Sequence, residues 1–189
     1  METEDAEILK GVKRGEEPAV DALIKKYQKK VYNMVYGLCF NYDTAWDVTQ
    51  EAFVKIIRSI NKFRGESSLW TYIYRISRNS FYDFKRKEKV RSKVGNFTDM
   101  KKDEEQREFE VRDLVNIEED YEKKAAGEKI KNAMERLTDI QKEVFILKHN
   151  GGYKIREISS ILKISQGTVK SHLNRSMEKL KILMGGDEL

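Results

Sequence analysis

A single proline occurs in this chain of 189 residues, and apolar residues recur at spacings of three and four along most of it. Residues at these spacings lie on one face of an α-helix, whereas a strand would show alternation of apolar and polar residues. Proline interrupts helices, so its near absence leaves long helical segments intact. The sequence therefore predicts an almost wholly helical protein.

The helical pattern stops after Lys89 and returns near Gly127. The stretch between them is highly charged, net acidic and weakly periodic, whereas the segments on either side are net basic. Such a composition is typical of a linker. We therefore predict an all-α chain of two small helical domains, residues 1–90 and 128–189, joined by a flexible acidic linker, residues 91–127.

The C-terminal segment contains two apolar patterns separated by a short turn, which is typical of a helix-turn-helix. Ile158 and Ile161 mark the buried face of its first helix, and Val169 and Leu173 mark that of its second, which Ser165 can cap. The second helix leaves a polar, cationic face outward near its start, and such a face fits the major groove of DNA. Its outward residues are Gln166, Thr168, Lys170, Ser171, Asn174 and Arg175.

The turn of this motif contains Lys163 where many helix-turn-helix proteins have a glycine in the left-handed conformation. If the backbone conformation is kept, the Cβ of the lysine costs on the order of 1 to 2 kcal/mol.

Several classes of function find no support in the residues. Cys39 is the single cysteine and His149 and His172 are the two histidines, so we expect neither a disulfide nor a zinc cluster. We find no phosphate-binding glycine loop and no nucleophile with a placed base, and we expect no enzyme activity, metal or cofactor. No stretch approaches the roughly 18 apolar residues of a membrane span, and there is no signal peptide, so we expect a cytoplasmic protein.

Two segments, in this order, resemble the sigma factors of bacterial RNA polymerase, specifically the extracytoplasmic-function (ECF) group. The segment "DVTQEAFVKIIRSINKFRGESSLWTYIYRISRN" resembles sigma region 2, and "GGYKIREISSILKISQGTVKSHLNRSMEKLK" resembles region 4. The resemblance implies an alternative sigma factor that binds core RNA polymerase and promoter DNA, both duplex and single-stranded, and that directs promoter-specific initiation. It also implies control by an anti-sigma factor, and a linker that passes through the polymerase channels.

The resemblance assigns residues to three surfaces. Binding to core polymerase falls on a helical stripe distinct from the apolar face, namely Asp47, Gln50, Glu51, Val54 and Arg58. Recognition of the opened minus ten element falls on Asn61, Lys62, Phe63, Arg64, Gly65, Glu66, Ser67, Ser68, Trp70, Arg75, Arg78 and Asn79. Recognition of the minus thirty-five element falls on Arg156, Gln166, Thr168, Lys170, Ser171, Asn174 and Arg175.

Two alternatives stay open at this point. The aromatic residues after Trp70, including Tyr72 and Tyr74, can pack in the core and leave Asn79 as the main reader of bases. The protein as a whole can also be a two-domain helix-turn-helix repressor or activator, which would bind duplex DNA without polymerase.

Overall fold

A computed structural model describes residues 3–94 and 121–183 of the chain. The regular elements of these residues are all helices, and they fall into two compact units, one on each side of residue 115. This confirms the predicted all-helical class with two small domains. Most of the predicted acidic linker lies outside the described residues, although helices extend into it as far as Val94 and from Tyr121 onward.

The N-terminal unit consists of α1 (Thr3–Lys13), α2 (Glu17–Cys39), α3 (Tyr42–Ser59), a short 3₁₀ turn (Ile60–Lys62) and α4 (Leu69–Val94). Helix α2 contacts the other three helices, and α3 also packs on α4. The core between them is made of fully buried aliphatic side chains, among them Leu23, Val31, Val35, Val48, Ile56, Leu69 and Ile73.

Polar side chains cap the N-termini of α3 and α4. The side chain of Asn41 accepts a hydrogen bond from the backbone N–H of Thr44 at 2.8 Å and so caps α3. The hydroxyl of Ser68 accepts one from the backbone N–H of Thr71 at 3.1 Å and caps α4. These caps fix where the chain leaves the loops that precede α3 and α4.

Helix α1 is additional to the helices that the apolar periodicity predicted. Its apolar residues Ile8, Leu9 and Val12 are buried, and it packs on α2 and on the 3₁₀ turn. Asp5 is 6% exposed and accepts hydrogen bonds from the hydroxyl of Tyr27 at 2.7 Å and from Lys26 Nζ at 2.8 Å. The pKa of Asp5 lies below its ordinary value because these bonds outweigh the opposing effect of burial.

The C-terminal unit consists of α5 (Tyr121–Glu135), α6 (Asp139–His149), α7 (Ile155–Leu162) and α8 (Gln166–Leu183). Helix α8 contacts the other three. Its buried residues include Val169, Leu173 and Leu180, and they face a core to which α6 contributes Val144 and Leu147. Across residues 3–94 and 121–183, no helix combines the length and apolar character needed to cross a membrane.

We predict that Asp5→Asn destabilises the N-terminal unit by about 1 to 2 kcal/mol at pH 7, since the variant loses a charged partner of Lys26. The native pKa of Asp5 is depressed, so this stabilisation is complete above the ordinary carboxyl pKa of 3.8 and is lost as pH falls through the native value. Urea unfolding at several pH values measures it, because both tryptophans, Trp46 and Trp70, lie in this unit and report on it alone.

The matched control is Glu7→Gln, which neutralises an exposed carboxylate on the same helix and should change stability by less than about 0.5 kcal/mol. Equal stability of Asp5→Asn and wild type at pH 7, or a difference that persists unchanged at pH 2, would contradict the role given to Asp5.

Candidate nucleic-acid interface

Helices α7 and α8 of the C-terminal unit form a helix-turn-helix with a hydrogen-bonded turn. Lys163 adopts the left-handed conformation, with φ 56° and ψ 42°, which confirms that the turn keeps this backbone without a glycine. The backbone N–H groups of Lys163 and Ile164 both donate to the carbonyl of Ser159, the latter at 3.2 Å. The hydroxyl of Ser165 then accepts from the N–H of Thr168 at 3.0 Å, which confirms Ser165 as the cap of α8.

An apolar seam fixes α8 against α7 and sets which side of it faces outward. Ile158 and Val169 are fully buried, and Ile161 is 4% exposed. The opposite side is open: every residue that the sequence assigned to the minus thirty-five element is exposed. We call this set the upstream face: Arg156, Gln166, Thr168, Lys170, Ser171, Asn174 and Arg175.

The start of α8 also favours a negatively charged ligand. The first N–H groups of a helix lack partners within the helix, and the helix dipole places positive potential there. Lys170 and Arg175 add two cationic side chains within the first ten residues. The upstream face thus offers hydrogen-bond donors and positive charge together, which is what phosphates and base edges require.

Helix α3 has two different sides. One side carries Val48, Ala52 and Ile56, each fully buried in the core. The other side holds the predicted polymerase-binding residues, which we call the α3 face: Asp47, Gln50, Glu51, Val54 and Arg58. Four of them are exposed, and Glu51 is half-buried.

An apolar residue stands among the charges of the α3 face. Val54 is 46% exposed, and a carboxylate oxygen of Glu51, one turn before Lys55, lies 2.7 Å from the Nζ of that lysine. A surface that mixes an open apolar group with oriented charges is suited to a protein partner, because burial of the valine adds affinity and the charges add specificity.

The segment from Asn61 to Ser68 connects α3 to α4, and we call it the reading loop. Its first two residues belong to the 3₁₀ turn, and the rest is irregular. Most of its side chains are exposed, including Asn61, Lys62, Arg64 and Glu66. Gly65 has a φ of 79°, in the left-handed region that favours glycine. The space around its missing Cβ is open, so the backbone conformation rather than crowding explains the glycine.

Two of the residues predicted to contact the minus ten element are buried in the structure. Phe63 is 5% exposed and its ring lies 4.9 Å from that of Tyr72, while Trp70 is 9% exposed between the rings of Tyr27 and Tyr74. Both rings therefore pack within the unit and expose little of their surface. Their contact with the minus ten element stays a prediction.

Helix α4, which follows the reading loop, presents polar groups along its first three turns. Asn79 is exposed, Arg75 and Arg78 are half-buried, and the guanidinium of Arg78 lies 4.9 Å from the centre of the Tyr82 ring. Tyr74 is 1% exposed, and the hydroxyl of Tyr72 donates to the carbonyl of Ser59 at 2.8 Å. Tyr74 thus packs in the core and Tyr72 is half-buried against Ser59, as the alternative expected, while the role of Asn79 as the main reader of bases stays a prediction.

Within the described parts of the chain, no three His, Cys, Asp or Glu side chains come together in a way that could hold a metal ion.

Comparison with known families agrees with this division into two modules. Residues 23–91 match the family model of sigma-70 region 2, and residues 127–180 match that of sigma-70 region 4. Each match contains the surfaces described above in its own unit: the α3 face and the reading loop in the first, and the upstream face in the second.

Curated relatives match over nearly their whole length. The RNA polymerase sigma-H factor of Pseudomonas aeruginosa is 24% identical over 177 residues, covering 94% of this chain and 92% of that protein. The ECF RNA polymerase sigma factor SigW of Bacillus subtilis is 29% identical over 181 residues, covering 92% of each. The ECF RNA polymerase sigma-E factor of Escherichia coli K12 is 25% identical over 176 residues, covering 93% of this chain and 92% of its own.

Two solved structures share the fold. CnrH, in complex with the cytosolic domain of CnrY, has a TM-score of 0.69 at 16% identity. The match covers 98% of this chain and 99% of CnrH. The sigma factor RpoE of Bartonella quintana, in complex with the anti-sigma factor NepR, has a TM-score of 0.63 at 22% identity. The match covers 89% of this chain and 98% of RpoE.

Two helical modules, one of them a helix-turn-helix with an open cationic face, define a DNA-binding transcription protein. With both family matches in the same order, the chain belongs to the sigma-70 family, in its extracytoplasmic-function group. It is an alternative sigma factor that directs transcription, as the resemblance predicted, and this replaces the interpretation as a free-standing repressor or activator.

We predict that Lys163→Gly stabilises the helix-turn-helix by about 0.5 to 1 kcal/mol, because glycine adopts the left-handed conformation without the clash of a Cβ. Native-state hydrogen exchange of amides in α7 and α8 measures this within the full chain. The control Lys163→Ala removes the lysine but keeps a Cβ, so it should give no gain. An equal gain in both variants, or a loss in the glycine variant, would show that the turn is not strained.

Proposed function

We propose that this sigma factor binds core RNA polymerase through the α3 face, holds the opened minus ten element on the reading loop and α4, and reads the minus thirty-five element through the upstream face. The polymerase carries out catalysis, and this chain supplies recognition. The observation that carries the proposal is the two-sided α3, buried on one side and open on the other.

The α3 face is suited to a basic, partly apolar docking site on the polymerase. Asp47 and Glu51 are four residues apart and so project from the same side of the helix. Their negative charges would steer association and fix the register, while Val54 would be covered on binding. The helix needs no rearrangement to dock, because its inner side is already held by the core.

The reading loop and α4 are suited to single-stranded DNA. An unpaired base needs a group that reads its edge and cations that hold its phosphates. The exposed amide of Asn79 can read an edge, and Arg75 and Arg78 bring positive charge to the same helix. Further along α4, the exposed basic run of residues 85–89 can contact the duplex backbone.

The upstream face is suited to the major groove of duplex DNA. Recognition helices of this kind place the residues near their N-terminus against base edges. Gln166, Lys170 and Arg175 carry the donors for such contacts, and Arg156 on α7 is placed for a phosphate.

Control by an anti-sigma factor fits the same surfaces. The solved structure of RpoE from Bartonella quintana is a complex with the anti-sigma factor NepR, and that of CnrH is a complex with the cytosolic domain of CnrY. An equivalent partner of this chain would block it by covering the α3 face or the upstream face. We place the protein in the cytoplasm, where the polymerase works.

We predict that the double change Asp47→Arg/Glu51→Arg weakens binding to core polymerase at least about tenfold, because two attractive charges become repulsive. The protein is labelled with a fluorophore at its N-terminus and titrated with core polymerase. The change in fluorescence anisotropy gives the affinity. The matched control is Glu17→Arg/Asp21→Arg, which reverses two exposed acids at the same spacing on α2 and should leave the affinity within about twofold.

Unfolding followed by tryptophan fluorescence separates lost docking from lost folding. If the α3 variant folds like wild type and still binds core polymerase with wild-type affinity, the α3 face is not the docking surface. The same conclusion holds if the α2 control loses as much affinity as the α3 variant.

A further inference from the structure

We propose that α1 is a clamp that sets the position of the reading loop, with Lys13 as its positioning residue. This inference rests on the proposed role of the loop in holding the minus ten element. Helix α1 lies before residues 23–91, which match the region 2 model, so the family match does not cover it.

The first contact of the clamp is made where the chain enters the loop. The Nζ of Lys13, in the last turn of α1, donates a hydrogen bond to the backbone carbonyl of Phe63 at 2.8 Å, across 50 residues of sequence. The N–H of Phe63 donates to the carbonyl of Ile60 at 3.0 Å, and its ring is buried. Backbone and side chain of Phe63 are thus both held, and α1 supplies one of the bonds.

The second contact is made where the chain leaves the loop. Asp5 of α1 accepts a hydrogen bond from the hydroxyl of Tyr27. The ring of Tyr27 is stacked on that of Trp70, with 6.0 Å between the ring centroids and an interplanar angle of 15°. Trp70 is the second residue of α4, directly after the loop. Helix α1 therefore reaches the exit of the loop through one intermediate side chain.

These two contacts leave the middle of the loop open while its ends are fixed. Arg64, Gly65 and Glu66 are exposed, and Gly65 gives the backbone there a wider range of conformations. A flexible segment binds a specific ligand more tightly when its ends are held in the bound geometry, because less conformational entropy is lost on binding. Fixed ends also keep the loop from rearranging around an incorrect base, so the clamp would sharpen the choice between correct and incorrect bases.

The test uses holoenzyme reconstituted from core polymerase and the full-length protein, with a promoter first identified by mapping the transcripts that wild type produces. We expect Lys13→Met to keep wild-type affinity for core polymerase and to slow strand opening about three- to tenfold, as the loss of one partly exposed hydrogen bond implies. Permanganate reactivity of unpaired thymines follows the opening. The preference for the correct minus ten element over one with a single substituted base should fall by a similar factor.

Two further variants separate the contact from general effects. Lys13→Arg keeps a donor at this position and should restore most of the preference. Lys10→Met removes an exposed charge one turn earlier on α1 and should behave like wild type.

The possible results are distinct. If wild type gives no promoter-specific opening, the proposed function itself fails. If wild type opens the promoter and Lys13→Met matches it in rate and preference, the clamp is overturned. It is also overturned if Lys10→Met loses as much opening rate and preference, because the charge of α1 would then be the cause. A loss of core affinity by the same factor in Lys13→Met would overturn it too, because a general structural effect would then be the cause.

Discussion

The burial of one side of α3 is the constraint on which the rest of the N-terminal unit depends. Val48, Ala52 and Ile56 lock the helix against its neighbours, so the opposite side has a fixed orientation without any partner present. The same principle applies to α8, where Val169 and Leu173 hold the helix and leave its polar side open. In both units a small apolar core determines which groups a large partner can reach.

The aromatic residues of the N-terminal unit act mainly as supports. Trp70 packs on both Tyr27 and Tyr74, and Phe63 packs on Tyr72. Rings in such contacts contribute packing and orientation. Under the proposed function, the exposed groups of the reading loop and the polar and cationic groups of α4 would then carry the contacts to DNA.

Much of this structure could be predicted from the sequence, and the exceptions have physical reasons. Apolar spacing was sufficient for the long helices and for the open faces of α3 and α8, because one buried side implies one exposed side. It was insufficient for α1, whose few apolar residues lie among charged ones. It was also insufficient for the burial of Phe63 and Trp70, since an aromatic residue at a loop edge fits either a core or a ligand surface. The bond from Lys13 to Phe63 joins residues far apart in sequence and leaves no local pattern.

The central claim is that this protein gives core polymerase its promoter specificity. The most direct test adds the protein to bacterial core polymerase lacking any other sigma factor, supplies a fragmented genomic library as template, and maps the starts of the transcripts. We expect discrete starts that share a minus ten and a minus thirty-five element and that vanish when the protein is omitted. A silent polymerase, together with a footprint of the protein alone on duplex DNA, would contradict the claim.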